Sequence, residues 1–336
     1  MLQTVKARYG PVLCSWVPLS FWHRLLGIEL VVPYYHMVSD RDVEHVSGIG
    51  SFRGVQEFKA DMECFLRFYA PVSLDDVMRY LDGVGRLPKR CFLLTFDDGF
   101  RQNHDIVAPI LLALGIPAVF FVITSVVDNP DLCYAQKKSL LIRAARRLGH
   151  SPATKEASRV LTDAGVPGSE IIFRISAISY HDRRMLDLLG PLFGCDFAGY
   201  AVSGQPYLTS AQIVTLIKNG FAIGAHSVDH PRFSELSLEE QLVQTNGSLK
   251  WLSERFQYEC GAFAFPFSDA GISMEYFRTA FGDGRLKVSF GTGGMRRHYC
   301  DRNLGRFSME NTCRQARQVL AREFILAWQH GPIRAL

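Results

Sequence analysis

Two adjacent carboxylates, Asp97 and Asp98, stand at the end of the apolar run Cys91-Phe92-Leu93-Leu94-Thr95-Phe96 and are followed by Gly99. Paired anions at the mouth of a buried strand repel one another and resist desolvation, and a bound cation is the usual compensation. An Asp at a strand-to-helix turn also serves as a helix cap, which accounts for one carboxylate and leaves the other unexplained. A second cluster, His226-Ser227-Val228-Asp229-His230, follows the apolar run Phe221-Ala222-Ile223-Gly224-Ala225. Two imidazoles four residues apart can share one metal if the turn after the strand brings both rings inward. A carboxylate with two imidazoles leaves coordination positions open, as a catalytic metal site requires. Zinc is the default for such a donor set, and nickel, cobalt, manganese and iron accept it too.

Positioning these groups requires strands that stop where the charged residues begin. Residues 29–38 read as a first core strand ending at His36, and residues 118–123, 221–225, 261–266, 287–290 and 303–307 read as later ones. Their continuous apolar character is that of a parallel sheet covered on both faces, open or closed into a barrel. Helices are expected between them. Ser73-Leu74-Asp75-Asp76, Thr209-Ser210-Ala211-Gln212 and Ser237-Leu238-Glu239-Glu240 are capping patterns. Residues 56–69 and 106–114 have helical apolar spacing. The alternation stops over 128–208, which reads as a mainly helical insertion with helices at 139–148 and 172–189. Lys137, Lys138, Arg143, Arg146 and Arg147 make its first helix basic. A solvated helix face is the preferred reading of that charge, with contact to an anionic substrate such as a lipid phosphate as the alternative. The chain divides into an N-terminal segment, 1–29, and one α/β unit, 30–336, interrupted by the insertion.

The 336 residues carry a formal charge of +4, with 48% hydrophobic and 21% charged residues. This is a globular composition and gives no support for nucleic-acid binding as the main activity. The eight cysteines form no C-x-x-C pair, which argues against zinc fingers and a disulfide framework and for a reducing compartment. No apolar run reaches transmembrane length. Lys6 and Arg8 precede an apolar stretch over 12–22, but Pro11 and Pro18 interrupt it and no cleavage site follows, so a packed N-terminal helix is expected. A cytoplasmic location follows, with peripheral membrane association left open.

Thr95-Phe96-Asp97-Asp98-Gly99, His226-Ser227-x-x-His230 and Phe263-Ala264-Phe265-Pro266-Phe267 resemble, in order, the first three motifs of the polysaccharide deacetylases, the NodB-homology domain of carbohydrate esterase family 4. The resemblance covers about 30–127 and 209–310. It implies a distorted (β/α) barrel of about seven strands with its site at the C-terminal strand ends. Carried over by position, it implies that Asp98, His226 and His230 bind the metal and that Asp97 is the general base. Two departures stand out. The arginine that often opens the third motif is absent, and the final Leu-x-x-His motif is missing. Arg306 is the candidate partner of Asp97. His36, in a Tyr35-His36 pair similar to that of related subgroups, is the candidate acid. Pro266, Phe267, Asp269 and Tyr35 are candidate substrate contacts, each with a packing role as the alternative.

The function implied is metal-dependent removal of acetyl groups from N-acetylated sugars of a polysaccharide or a carrier-linked glycan. O-deacetylation and hydrolysis of another non-peptide C–N bond are neighbouring alternatives. A non-catalytic glycan-binding protein with a relict site is the alternative from a different class. A metal-free α/β hydrolase lacks its G-x-S-x-G elbow.

Overall fold

The computed structural model describes residues 17–310 and 315–331. Its strands are β1 (Leu30–Val31), β2 (Pro33–Tyr35), β3 (Ala70–Pro71), β4 (Cys91–Phe92), β5 (Leu94–Phe96), β6 (Ala118–Val122), β7 (Ala222–Ala225), β8 (Ala262–Ala264), β9 (Val288–Gly291), β10 (Asn303–Gly305) and β11 (Phe307–Ser308). All the pairings between them are parallel. Eight form one sheet in the order β10-β9-β8-β7-β6-β5-β2-β11. β10 and β11 occupy its opposite edges, yet only Arg306 separates them in the chain. The single stretch 303–308 thus pairs with both edges and closes the sheet into a (β/α) barrel. Eight segments become seven staves when that stretch is counted once. A small sheet, β1-β4-β3, sits at the strand-entry end, because β1 and β4 run directly into β2 and β5. The single strand expected over 29–38 is therefore two short ones, each paired in a different sheet.

Fourteen helices surround the strands among the described residues: α1 (Leu19–Leu26), α2 (Glu44–Ser47), α3 (Val55–Phe68), α4 (Leu74–Leu81), α5 (Ala108–Leu114), α6 (Tyr134–Leu148), α7 (Pro152–Asp163), α8 (Ile171–Ala177), α9 (Arg184–Leu192), α10 (Phe197–Gly204), α11 (Ser210–Lys218), α12 (Leu238–Phe256), α13 (Met274–Gly282) and α14 (Ala316–His330). The three capping patterns are formed: Ser73, Thr209 and Ser237 each accept a backbone N–H three residues on. The apolar residues divide into two cores. Val119, Phe121, Ala262, Ala264, Val288 and Phe290 fill the barrel interior, while Phe120, Val122, Phe96 and Phe263 belong to the core shared with the helices. Both faces of β6 are therefore buried, which is why its sequence shows no polar alternation. Gly224 leaves the space that the Phe121 ring occupies inside the barrel.

Three local expectations change. The packed helix expected over 12–22 begins at Leu19, where Trp22 stacks on Phe324 of α14 at 6.4 Å; residues before 17 lie outside the described chain. The helix expected over 172–189 is broken between α8 and α9. Ser179 Oγ accepts the Asp182 N–H at 3.2 Å, a local bond that competes with the helix, and Tyr180 turns inward to donate to Asp229 at 2.6 Å. The basic helix α6 is not simply a solvated face. Lys137 pairs with Asp131 and Asp187 at 2.6 and 2.7 Å, Arg143 pairs with Asp42 at 2.7 Å, and Lys138 donates to the Ser176 and Ile178 carbonyls. Lys137 thus ties α6 to α9, Lys138 ties it to the end of α8, and Arg143 ties it to the loop at Asp42, while Arg146 and Arg147 are left exposed. No single described helix is long and apolar enough to cross a membrane, and the six described cysteines are unpaired.

Candidate metal centre and active site

The loops leaving β5, β7 and β8 put charged and aromatic groups at the C-terminal rim of the barrel. Asp98 (φ 67°), Ser227 (φ 65°), His230 (φ 64°) and Phe267 (φ 57°) all hold left-handed backbone there, four of the eight non-glycine residues that do so in the described chain. Such conformations are strained and persist where the surroundings impose them. Here they turn the chain sharply enough to aim side chains back over the barrel axis.

Asp98 Oδ1 lies 3.4 Å from His226 Nε2 and 3.2 Å from His230 Nε2, and one ligand atom from each of the three residues falls within 4.8 Å of the others. All three side chains are buried. His226 Nδ1 donates to the Ala264 carbonyl at 2.8 Å, which leaves the Nε2 lone pair facing Asp98. Burial lowers the His230 pKa, despite the nearby Asp98, and favours the neutral ring that a metal requires. Burial also resists charge on Asp98, but the two histidines outweigh it and hold that carboxyl well below its ordinary range. Asp98 Oδ1 is nevertheless a buried oxygen without a hydrogen-bond partner. An anionic oxygen left without a donor between two inward-facing ring nitrogens fits a divalent cation. Outside this triad, Asp229 braces the loop: Tyr180 donates to its Oδ2, and Gln244 Nε2 donates to its Oδ1 at 2.6 Å.

Asp97 points to the other side. Arg306 binds it in bidentate fashion, Nη1 to Oδ1 at 2.7 Å and Nη2 to Oδ2 at 2.8 Å, with both side chains buried. Arg306 also donates to Thr95 Oγ1 and to the Gly291 carbonyl, each at 3.3 Å, and its guanidinium lies 4.8 Å from the Tyr34 ring centroid. Burial alone would raise the Asp97 pKa; Arg306, with His226, outweighs it and keeps the carboxyl ionised below its usual range.

His36 leaves β2 on the face it shares with Tyr34. Its Nδ1 contacts Glu310 Oε2 at 2.5 Å, and its backbone N–H donates to Glu310 Oε1 at 2.8 Å. Burial opposes charge on the ring, but Glu310, supported by Asp98 and Asp97, outweighs it and pushes the pKa up to about 10. Glu310 was not among the residues expected from the sequence. It sits two residues past β11, the strand paired with β2, and that pairing across the chain is its only signal.

A cavity of about 200 Å³ opens over these groups, walled by Tyr34, His36 and Glu310 on one side, by His226, His230 and Phe267 on another, and by Ala135 and Gln136 of α6. Phe267 is exposed there, its ring 4.7 Å from that of His230. The other candidate substrate contacts fall elsewhere. Strand alternation turns Tyr35 away from the barrel interior, where its hydroxyl donates to Asp61 at 3.0 Å and its ring stacks on Phe96. Pro266 is buried behind Phe267. Asp269 is buried too, accepting the Thr292 N–H at 3.0 Å and an N–H of Asn303 Nδ2 at 2.8 Å, so it ties its own loop to the end of β9 and the start of β10. Tyr34 takes the wall position expected of Tyr35. A wider groove of about 450 Å³ between the end of α12 and the segment 283–287 after α13 gathers no comparable cluster.

The backbone after Gly99 adds one donor. Gly99 O accepts from Leu208 N and Arg101 N donates to Pro206 O, each at 2.8 Å, so Phe100 and Tyr207 face each other as a non-hydrogen-bonded pair. The Phe100 N–H is thus free of the ladder.

Among solved structures, the chain is similar to the Streptococcus pyogenes deacetylase PplD in complex with acetate (TM-score 0.55, 15% identity, 88% of this chain and 97% of that one). It is similar also to IcaB from Ammonifex degensii (TM-score 0.55, 18% identity, 89% and 98%). At these identities the likeness is one of fold. A curated poly-β-1,6-N-acetyl-D-glucosamine N-deacetylase of Escherichia coli (strain K12) is 40% identical over 62 residues, 18% of this chain and only 9% of the relative's length. The model of the polysaccharide deacetylase family matches residues 85–280, more than half of the chain and the stretch that carries Asp97, Asp98, His226 and His230. With a parallel barrel and three convergent candidate ligands at its rim, the chain belongs to the polysaccharide deacetylase family.

Proposed function

We propose that the protein is a metal-dependent hydrolase that removes acetyl groups from N-acetylated amino sugars of a polysaccharide, with a carrier-linked glycan as the other form of the same substrate. The observation that carries this reading is the convergence of Asp98, His226 and His230 beside an ionised, Arg306-clamped Asp97 in one cavity. Asp98, His226 and His230 would hold the cation, with zinc the first choice. When bound, it supplies Lewis acidity, polarising the acetyl carbonyl and acidifying the attacking water.

Asp97 takes a proton from that water as its oxygen bonds to the acetyl carbon. Arg306 keeps Asp97 ionised and oriented while leaving each carboxylate oxygen a lone pair for the proton. The Phe100 N–H faces the oxygen that gains negative charge. His36, protonated and held by Glu310, gives its proton to the amine nitrogen as the C–N bond breaks. The products are acetate and a free amino sugar. Phe267 and Tyr34 wall the groove. The unpaired cysteines support a cytoplasmic site of action.

The test is metal analysis together with acetate release from a panel of acetylated amino-sugar oligomers, including β-1,6-linked N-acetylglucosamine. Wild type should carry about one divalent ion and release acetate. Asp97→Asn should keep the ion and lose roughly 10²–10⁴-fold in kcat/KM. Bound metal with no acetate release from any oligomer would leave a glycan-binding relict.

A further inference from the structure

The wall that α6 lends to the cavity contains a polar group with no part in the steps above. Gln136 is only 2% exposed, yet it lines the cavity alongside Asp98 and Phe100. Its Oε1 lies 3.2 Å from the Tyr207 hydroxyl. That hydroxyl already accepts the Cys133 N–H at 3.1 Å. A backbone N–H can only donate, so the hydroxyl proton is available to Gln136, and the carboxamide oxygen is the atom that receives it. The Nε2 end then has no acceptor among the described residues, and it is not sealed off from the cavity.

The mount is rigid. Tyr207 is buried, its ring stacks on Phe100 with centroids 5.7 Å apart and planes 13° apart, and Asn129 bonds both its N–H and its carbonyl, at 2.8 and 3.0 Å. Phe100 is the residue whose N–H is free of the ladder. The Gln136 amide and the Phe100 N–H therefore belong to one packed unit on the same wall. A fixed, nearly buried donor has its desolvation repaid only when a ligand oxygen meets it, and fixed donors act most strongly on oxygens that gain charge.

We propose that Gln136 is a catalytic residue of the insertion, its Nε2 donating to the acetyl oxygen as that atom becomes an oxyanion, with Tyr207 as the positioning residue. This rests on the deacetylase reading. The test is steady-state acetate release from the best oligomer of the panel. Gln136→Met, similar in length and without a donor, should lower kcat roughly a hundredfold, with KM within about threefold and metal content unchanged, and with a small fall in melting temperature because the buried Tyr207 hydroxyl loses its acceptor. Gln136→Glu keeps an acceptor for Tyr207 and loses the donor, and it should fall at least as far. Tyr207→Phe should fall less, and adding it to Gln136→Met should cost nothing more, because Tyr207 acts through Gln136. A folded, metal-loaded Gln136→Met enzyme with wild-type kcat, or with its loss confined to KM, overturns the oxyanion role. Multiplying losses in the double variant overturn the positioning role. Wild type inactive on every oligomer overturns the parent reading and this one with it, whereas an active wild type beside an unaffected Gln136→Met removes this inference alone.

Discussion

Asp97 and Arg306 form a buried ion pair, and removing either partner leaves the other charge buried without its counter-ion. Arg306→Met should cost about 3–5 kcal/mol in denaturant titration. Asp97→Asn should cost at least as much, because a guanidinium cannot shed its proton to escape burial whereas a carboxyl can take one up. A much smaller loss for Asp97→Asn than for Arg306→Met would show that the Arg306 charge does not depend on Asp97. His36 and Glu310 make a second coupled pair. The folded pKa of His36, about 10, lies above the ordinary 6.5. Its contribution to stability is thus fully present below pH 6.5 and is lost as pH rises through about 10. Glu310→Gln withdraws the carboxylate that raises it, so the alkaline limb of kcat/KM should move to lower pH while the acid limb stays in place. An unmoved alkaline limb would take His36 out of the acid role.

The elements that carry these residues are short strands ended by left-handed turns, and Gly99 shows how little slack they have. At φ 65° a side chain is already disfavoured, and a Cβ there would meet Val122 Cγ1 at 2.9 Å and Val122 Cα at 3.3 Å. Gly99→Ala should lower stability by about 1–3 kcal/mol and should weaken zinc binding with it, since Asp98 is the preceding residue; calorimetric zinc titration at the wild-type value would contradict this. Much of this layer was legible beforehand. Apolar runs that stop at Asp97 and at His226 mark the strand ends, and capping pairs mark the helices that follow, because both signals are local. Glu310 was hidden because its partner His36 lies 274 residues away and no local pattern sets it apart. Tyr35 was misplaced for a different reason. In a strand buried on both faces, composition does not reveal which of two neighbouring tyrosines faces the barrel interior, and only the Tyr34 contact with Arg306 does so. The break at Ser179 was missed because Ile175 and Ile178 before it and Leu186 and Leu189 after it each keep helical spacing, although the polar run 181–184 interrupts the apolar face between them. The cations of α6 looked like surface because Asp131 and Asp187, which consume Lys137, belong to other parts of the insertion.

At the scale of the whole molecule, the three candidate metal ligands come from loops after two strands that are separated by β6 in the ring. A cation that binds only the native arrangement stabilises the entire barrel. Zinc at a hundred times its Kd should add about 2.7 kcal/mol, read as a rise in melting temperature that a chelator reverses and that Asp98→Asn abolishes; an identical melting curve with and without zinc would exclude the site. Barrel closure has a consequence for how the chain folds. The stretch that joins the two sheet edges is also the one that delivers Arg306, 209 residues after the carboxylate it neutralises. Until residues 303–308 dock, the sheet keeps two unpaired edges and Asp97 has no cation, so a partly made barrel gains little from burying the Asp97 end of β5. Sealing the ring and completing the candidate site are one late, long-range event. A chain halted before residue 303 during synthesis would be an open, edge-exposed sheet without the Asp97–Arg306 clamp, and such a product is a target for clearance before it is a slow enzyme.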